Sequence, residues 1–147
     1  MHAQIKSFAR RLVREDSGTT IIEFAILAPA IIGMMLGVMQ IGLSMQSYNA
    51  MRSVAADAAR MATIEYQKKN EIQNWQIRNR TKDIATGAPY LFQNSVVVTV
   101  DSVTPSRVSG AYEKTLTIKY TPPTVIALID FVQPEITYSR PIFLIDE

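Results

Sequence analysis

Phe24-Ala25-Ile26-Leu27-Ala28-Pro29-Ala30-Ile31-Ile32-Gly33-Met34-Met35-Leu36-Gly37-Val38-Met39 contains no polar side chain, and the apolar run continues to Met45 with only Gln40 and Ser44 interposed. As a helix rising ~1.5 Å per residue, residues 24–45 reach ~33 Å, enough to cross a hydrocarbon core of ~30 Å. Two other readings compete. A buried helix of a soluble core would need covering on every side, which a chain of 147 residues hardly supplies. A secretory signal peptide would have a shorter apolar region, ~7–15 residues, and a small-x-small cleavage site, which the polar helix that follows does not show.

On the N-terminal side of this run, residues 1–18 hold Lys6, Arg10, Arg11 and Arg14 against Glu15 and Asp16. The chain has 15 Lys+Arg and 13 Asp+Glu, so the remainder balances and the net charge of +2 belongs to this short leader. Basic residues flank the cytoplasmic end of a span, so the N-terminus is expected in the cytoplasm and everything past residue 46 across the membrane. With its charge confined there, the chain shows no nucleic-acid-binding domain.

Composition excludes several chemistries. The chain has no Cys and a single His, His2. Disulfide scaffolds, Cys-ligated zinc or iron–sulfur centres and His-based triads therefore lack their atoms. There is no P-loop and no dinucleotide fingerprint, and Gly42-Leu43-Ser44-Met45-Gln46 lacks the closing glycine of a nucleophile elbow. Carboxylates at Asp57, Glu65, Glu71, Asp83, Asp101, Glu113, Asp130 and Glu135 fall without metal-loop spacing and read as solvated surface charges. No catalytic residue, cofactor, metal or small-molecule substrate is expected. Asn79-Arg80-Thr81 matches a glycosylation acceptor, a tripeptide common by chance.

Past the span, Met51, Val54, Ala55, Ala58, Met61 and Ala62 recur at spacings of three and four, with Arg52, Asp57 and Arg60 off that face. The span should continue as an amphipathic helix to about residue 67. A second, weaker helical pattern covers residues 71–85 with Ile72, Trp75, Ile77 and Ile84, and Gly87 and Pro89 end it. Trp75 suits either the membrane interface or the core. From residue 94 the period becomes two. Val96, Val98 and Val100 alternate with Val97, Thr99 and Asp101; Leu116, Ile118 and Tyr120 alternate with Thr115, Thr117, Lys119 and Thr121. These predict two antiparallel strands with one buried face. Residues 125–132 are too few to span a bilayer and are expected to be buried, as helix or strand. A last strand over residues 135–145 should lie at an edge or carry a bulge because of Pro141. Tyr90, Phe92, Tyr112, Tyr120, Phe131 and Tyr138 are expected in core or sheet packing, since no basic groove accompanies them. The chain thus divides into a leader (1–18), a long helix (19–67, span about 24–45) and an α+β head (68–147) with an antiparallel sheet of three to four strands.

The junction Gly18-Thr19-Thr20-Ile21-Ile22-Glu23-Phe24-Ala25 carries the most chemistry. A carboxylate at Glu23 costs roughly 2.5 kcal/mol or more if it ends deep in lipid, so it is either an interfacial side chain reaching for headgroups or one with a partner. Gly18, four residues, then Glu23-Phe24, after a basic leader and before a span, resembles the class III leader of type IV pilins. Pro29 six residues beyond the glutamate, a Gly- and Met-containing span and Ala58-Ala59-Arg60 make residues 10–62 similar to the TadE-like pseudopilins of the tight-adherence (Tad, or Flp) pilus system. This resemblance implies a pilin-like α+β fold and cleavage by a prepilin peptidase after Gly18, leaving Thr19 as the new N-terminus. Glu23 becomes the fifth residue, expected to pair with the amino group of a neighbouring subunit, and Phe24 the sixth. The chain is much longer than the small major Flp pilin, which implies a minor component.

The implied partners are the prepilin peptidase, other Tad pilins and pseudopilins, the inner-membrane assembly platform and the membrane itself. The implied location is the bacterial inner membrane, single-pass, with a periplasmic head and possible incorporation in an extracellular pilus. Gly33 and Gly37 form a Gly-x-x-x-Gly pattern that would admit a second helix closely, and Pro29 should bend the helix or be a tolerated membrane proline. A single-pass anchor with an exported binding domain, a type II secretion pseudopilin and, least supported, a tethered enzyme are the rival readings.

Overall fold

The computed structural model describes residues 16–92, 95–124 and 135–145, with side chains from residue 20 onward. Residues 125–132, expected above to be buried, and with them Phe131, lie outside the described residues.

The order is α1 (Asp16–Gln67), α2 (Asn74–Thr86), β1 (Val97–Val103), β2 (Ala111–Tyr120) and β3 (Ile136–Ile145). This is the expected α+β arrangement: a long N-terminal helix, a second helix and an antiparallel sheet. The chain forms two compact units, Met1–Met39 and Gln40–Glu147.

In the second unit, α1 supplies one wall of the core. Met51, Val54, Ala55, Ala58, Ala59 and Ala62 are buried, while Arg52, Asp57 and Arg60 are exposed. The predicted amphipathic face is therefore the packed one, with Met61 partly buried beside it. Four of those core positions are alanines, so this wall of the core is built largely of small side chains. α2 buries Ile77, Thr81 and Ala85, one turn apart on a single face. Its start is tied by the Gln76 side chain, which accepts the Gln73 N–H at 2.8 Å. At its end the Gly87 N–H donates to the Asp83 carbonyl, and a Cβ at residue 87 would sit 3.0 Å from that oxygen, so the missing side chain permits the contact.

The sheet has the order β1-β2-β3, both pairs antiparallel, with Val98↔Ile118 and Ile118↔Tyr138 in register. Val96, Val98, Leu116, Ile118, Tyr120, Ile142 and Leu144 form the buried face, and Val97 is 53% exposed on the other. Period-two burial follows directly from the alternating pattern. β2 begins four residues before the alternation that announced it, and Gly110 enters it with φ +79, a left-handed conformation open to glycine without strain. Pro141 stands on the edge strand β3 opposite Thr115. An edge position costs the sheet no ladder bond, as expected for proline.

Two aromatic contacts set the alignment of sheet and helix within this unit. Tyr48 of α1 meets Tyr138 edge-on at 5.6 Å, and Tyr66 meets Tyr112 at 6.1 Å. The packed face of the sheet thus follows α1 from Tyr66 at one end to Tyr48 at the other, with β2 running toward the Tyr48 end. Burial distinguishes two further aromatic positions. Tyr112 is 65% exposed, touching Tyr66 without entering the core. Trp75 is 58% exposed and therefore not a core residue. It shares a groove with Met61 and Glu65 of α1.

Candidate processing and packing segment

The segment that matters chemically begins with the helical backbone at Asp16, so Gly18 and Thr19 lie in the first turns of α1. Glu23 follows Thr19 by four residues, one turn along the same face. Glu23 is exposed, and Phe24 is 68% exposed beside it. Exposure continues around the whole helix: Ile21, Ile22, Ile26, Leu27, Ile31, Ile32, Met34, Met35, Val38 and Met39 are between 48% and 71% exposed. With no polar face anywhere in this stretch, no side of it is suited to water. Covering these side chains is worth ~1.5–3 kcal/mol each, tens of kcal/mol together, against a few for one carboxylate and ~3 for a helix proline. The apolar term is the larger, so this surface calls for an apolar covering. Among the described residues one helix is long and apolar enough to cross a membrane, Thr20–Gln67 with a window of mean hydropathy 2.2, and it fits a single-pass membrane anchor.

Pro29 lies inside α1, where its ring removes one backbone donor. Gly33 and Gly37 are one turn apart, and a Cβ added at either meets nothing within 4 Å. Among the described residues no contact requires glycine at these two places, a pattern that lets a second helix approach closely. Ser44 and Ser47 return their hydroxyls to the carbonyls of Gln40 and Leu43, each at 2.9 Å, so these polar side chains are satisfied within the helix.

The head holds a polar clamp that sequence reading missed. The Glu113 carboxylate is buried on the outward side of β2 under the β1–β2 loop. It accepts the Arg107 backbone N–H at 2.8 Å and the Arg107 Nε at 2.6 Å, with Arg107 Nη2 also paired to it. Arg107 lies over the Phe143 ring at 5.8 Å. The side-chain and then the backbone hydrogen bonds from Arg107 hold the Glu113 carboxyl below its ordinary value. Residues 107 and 113 are six apart in sequence, and no motif pairs them; only the closed hairpin does. A second tie joins the loop after α2 to α1, where the Tyr90 hydroxyl donates to Asp57 Oδ2 at 2.9 Å and that bond raises the Tyr90 pKa. Among the described residues no buried side-chain nitrogen or oxygen lacks a partner, and no group of three His, Cys, Asp or Glu could hold a metal. Thr81 is fully buried within α2 with its hydroxyl donated to the Ile77 carbonyl at 2.7 Å, so Asn79-Arg80-Thr81 does not present an acceptor loop.

The described residues thus combine an uncovered apolar helix bearing Glu23 with a head in which no described buried side-chain nitrogen or oxygen lacks a partner. No curated protein and no solved structure matches the chain. Residues 18–60 match the model of the TadE-like protein family, from the expected cleavage glycine to Arg60 in the packed part of α1, so this segment of the chain is similar to TadE-like proteins.

Proposed function

We propose that the protein is a minor pseudopilin of a Tad (tight-adherence) pilus, with a structural rather than enzymatic role in pilus assembly or initiation and so in surface adherence. The observation that carries this reading is the coincidence of the family match over residues 18–60 with a carboxylate, Glu23, set in an apolar helix that the described residues leave uncovered. In this reading a prepilin peptidase cuts between Gly18 and Thr19. Cleavage supplies an ammonium group at Thr19, the opposite charge that a carboxylate among apolar helices requires. The Thr19 ammonium of one subunit neutralises Glu23 of its neighbour, Phe24 fills the adjoining apolar contact, and Gly33 and Gly37 let a neighbouring helix approach.

The basic leader keeps the N-terminus cytoplasmic before cleavage, and the head is periplasmic. The remaining partners are other Tad pilins and pseudopilins and the inner-membrane platform. Pili sheared from cells and probed for this chain test the reading. The chain should be found in or at the base of pili, and its deletion should lower pilus number. A chain confined to the membrane, with piliation unchanged by its deletion, would leave an ordinary single-pass anchor.

A further inference from the structure

Trp75 is the chain's single tryptophan, and α2 leaves it 58% exposed while burying Ile77, Thr81 and Ala85. Large exposed aromatic rings concentrate at binding surfaces, where a flat apolar face meets a ligand and the ring N–H stays available. The indole borders a groove of about 590 Å³ between the C-terminal part of α1 and α2, a volume typical of small-ligand sites. It also borders a second groove, of about 480 Å³, against Thr99 and Ser102 of β1, so concave surface lies on two sides of the ring. Both grooves lie wholly within the second unit.

The first groove has two layers. Its floor is apolar: Ile72 is buried, and Met61 and Ile84 are partly so. Its rim is polar and comes from one side of α2, where Trp75, Asn79 and Asp83 follow one another every four residues, ~6 Å apart, with Arg80 alongside. Asn79, Arg80 and Asp83 are exposed, and among the described residues their side chains make no hydrogen bond.

These groups discriminate among ligands. An amide, a guanidinium and a carboxylate are planar and two-pronged, and together they supply both donors and acceptors. Neighbouring hydroxyls need both at once, because each hydroxyl donates one hydrogen and accepts others. The indole face matches the apolar C–H face of a pyranose ring, whose edge carries those hydroxyls. The charges on the groove, Glu65 and Asp83 against Arg80, leave no surplus of cations to hold a nucleic acid or an anionic lipid surface. An aliphatic peptide side chain would cover the floor and leave the rim groups without partners, which costs affinity.

We propose that the groove between α1 and α2 binds a neutral glycan chain, with one sugar ring stacked on Trp75 and the next hydrogen-bonded through its hydroxyls to Asn79, Arg80 and Asp83. The second groove lets the chain continue past the indole toward β1. This site needs neither cleavage after Gly18 nor a pilus, so its failure and theirs are separable.

Because Trp75 is the single tryptophan, its fluorescence reads this groove directly. The full chain in phospholipid nanodiscs, free of glycosidic detergent, is titrated with cellohexaose and with chitohexaose. At least one should give a saturable change in emission, with a Kd of about 1 mM or tighter. The double variant Asn79→Ala/Asp83→Ala keeps the indole and substitutes a good helix former, so its Tm should hold while its Kd rises about tenfold or more. Arg80→Ala should weaken binding in the same direction, and Lys82→Ala, outside the groove, should keep the wild-type Kd. Absence of a saturable change with either oligosaccharide at millimolar concentration overturns the proposal. So does an unchanged Kd in the groove variants, or tighter binding of a single-stranded oligonucleotide or a leucine-rich peptide than of the oligosaccharides.

Discussion

Replacing Glu23 by leucine should move membrane insertion and pilus assembly in opposite directions. Glu23 immediately precedes Phe24, where the apolar run begins, and so lies within a turn of the edge of the span. At mid-bilayer an acidic side chain costs ~2.5–3.5 kcal/mol and leucine gains ~0.5; one turn from the edge about half that difference applies, so Glu23→Leu should favour insertion by roughly 1–2 kcal/mol. Assembly loses a charge-assisted bond to the Thr19 ammonium of a neighbour. Such bonds contribute ~1.5–3 kcal/mol net, equivalent to a fall of roughly ten- to a hundredfold in incorporation. The head should be untouched, because Glu23 belongs to the first unit and contributes nothing to the core. Three assays separate these effects: alkaline carbonate extraction for insertion, immunoblots of sheared pili for incorporation, and thermal unfolding of the detergent-solubilised protein for the head. Wild-type incorporation of the Glu23→Leu protein would refute the pairing, and loss of the protein from the membrane fraction would refute the stated cost of the carboxylate.

Other outcomes follow from the same structure. Leu116 is fully buried and Val97 is 53% exposed, so Leu116→Ala should cost ~2–5 kcal/mol and lower Tm by about 10 °C or more, while Val97→Ala stays within ~0.5 kcal/mol. A Cβ at Gly37 meets nothing within 4 Å among the described residues, so Gly37→Leu should leave Tm unchanged while reducing cysteine cross-linking between neighbouring helices; a drop in Tm would show that the glycine serves the fold. Glu113 has its pKa lowered by Arg107, so its contribution to stability is present above the ordinary carboxylate range and is lost as pH falls through the lowered value, beneath that range. Glu113→Gln should therefore flatten that part of the Tm–pH curve, and an unchanged acid limb would show that the pair contributes nothing there.

What could be read from sequence divides by the range of the interaction. The span was legible because lipid responds to each side chain of residues 24–39 without reference to the rest of the fold. The alternation at Val96-Val98-Val100 and Leu116-Ile118-Tyr120 was legible because strand geometry itself sends successive side chains to opposite faces. The helical face from Met51 to Ala62 emerged for the equivalent reason at a period of 3.6. Interactions that need a closed fold did not show. Glu113 looked like one more surface charge, since its partner Arg107 is brought to it only when the loop folds over β2. Trp75 could not be assigned because α2 buries the face with Ile77, Thr81 and Ala85 and turns the tryptophan outward.

At the processing segment, the residue types were legible and their consequence is chemical. Gly18, Thr19 and Glu23 become a functional set only if the peptide bond after Gly18 is cut, and that event is measured most directly by the intact mass of the protein purified from its own membranes. The account predicts a mass lacking residues 1–18, with Thr19 at the N-terminus, and the full-length mass in cells without the prepilin peptidase. A mature protein that retains Met1 through Gly18 in both would contradict it.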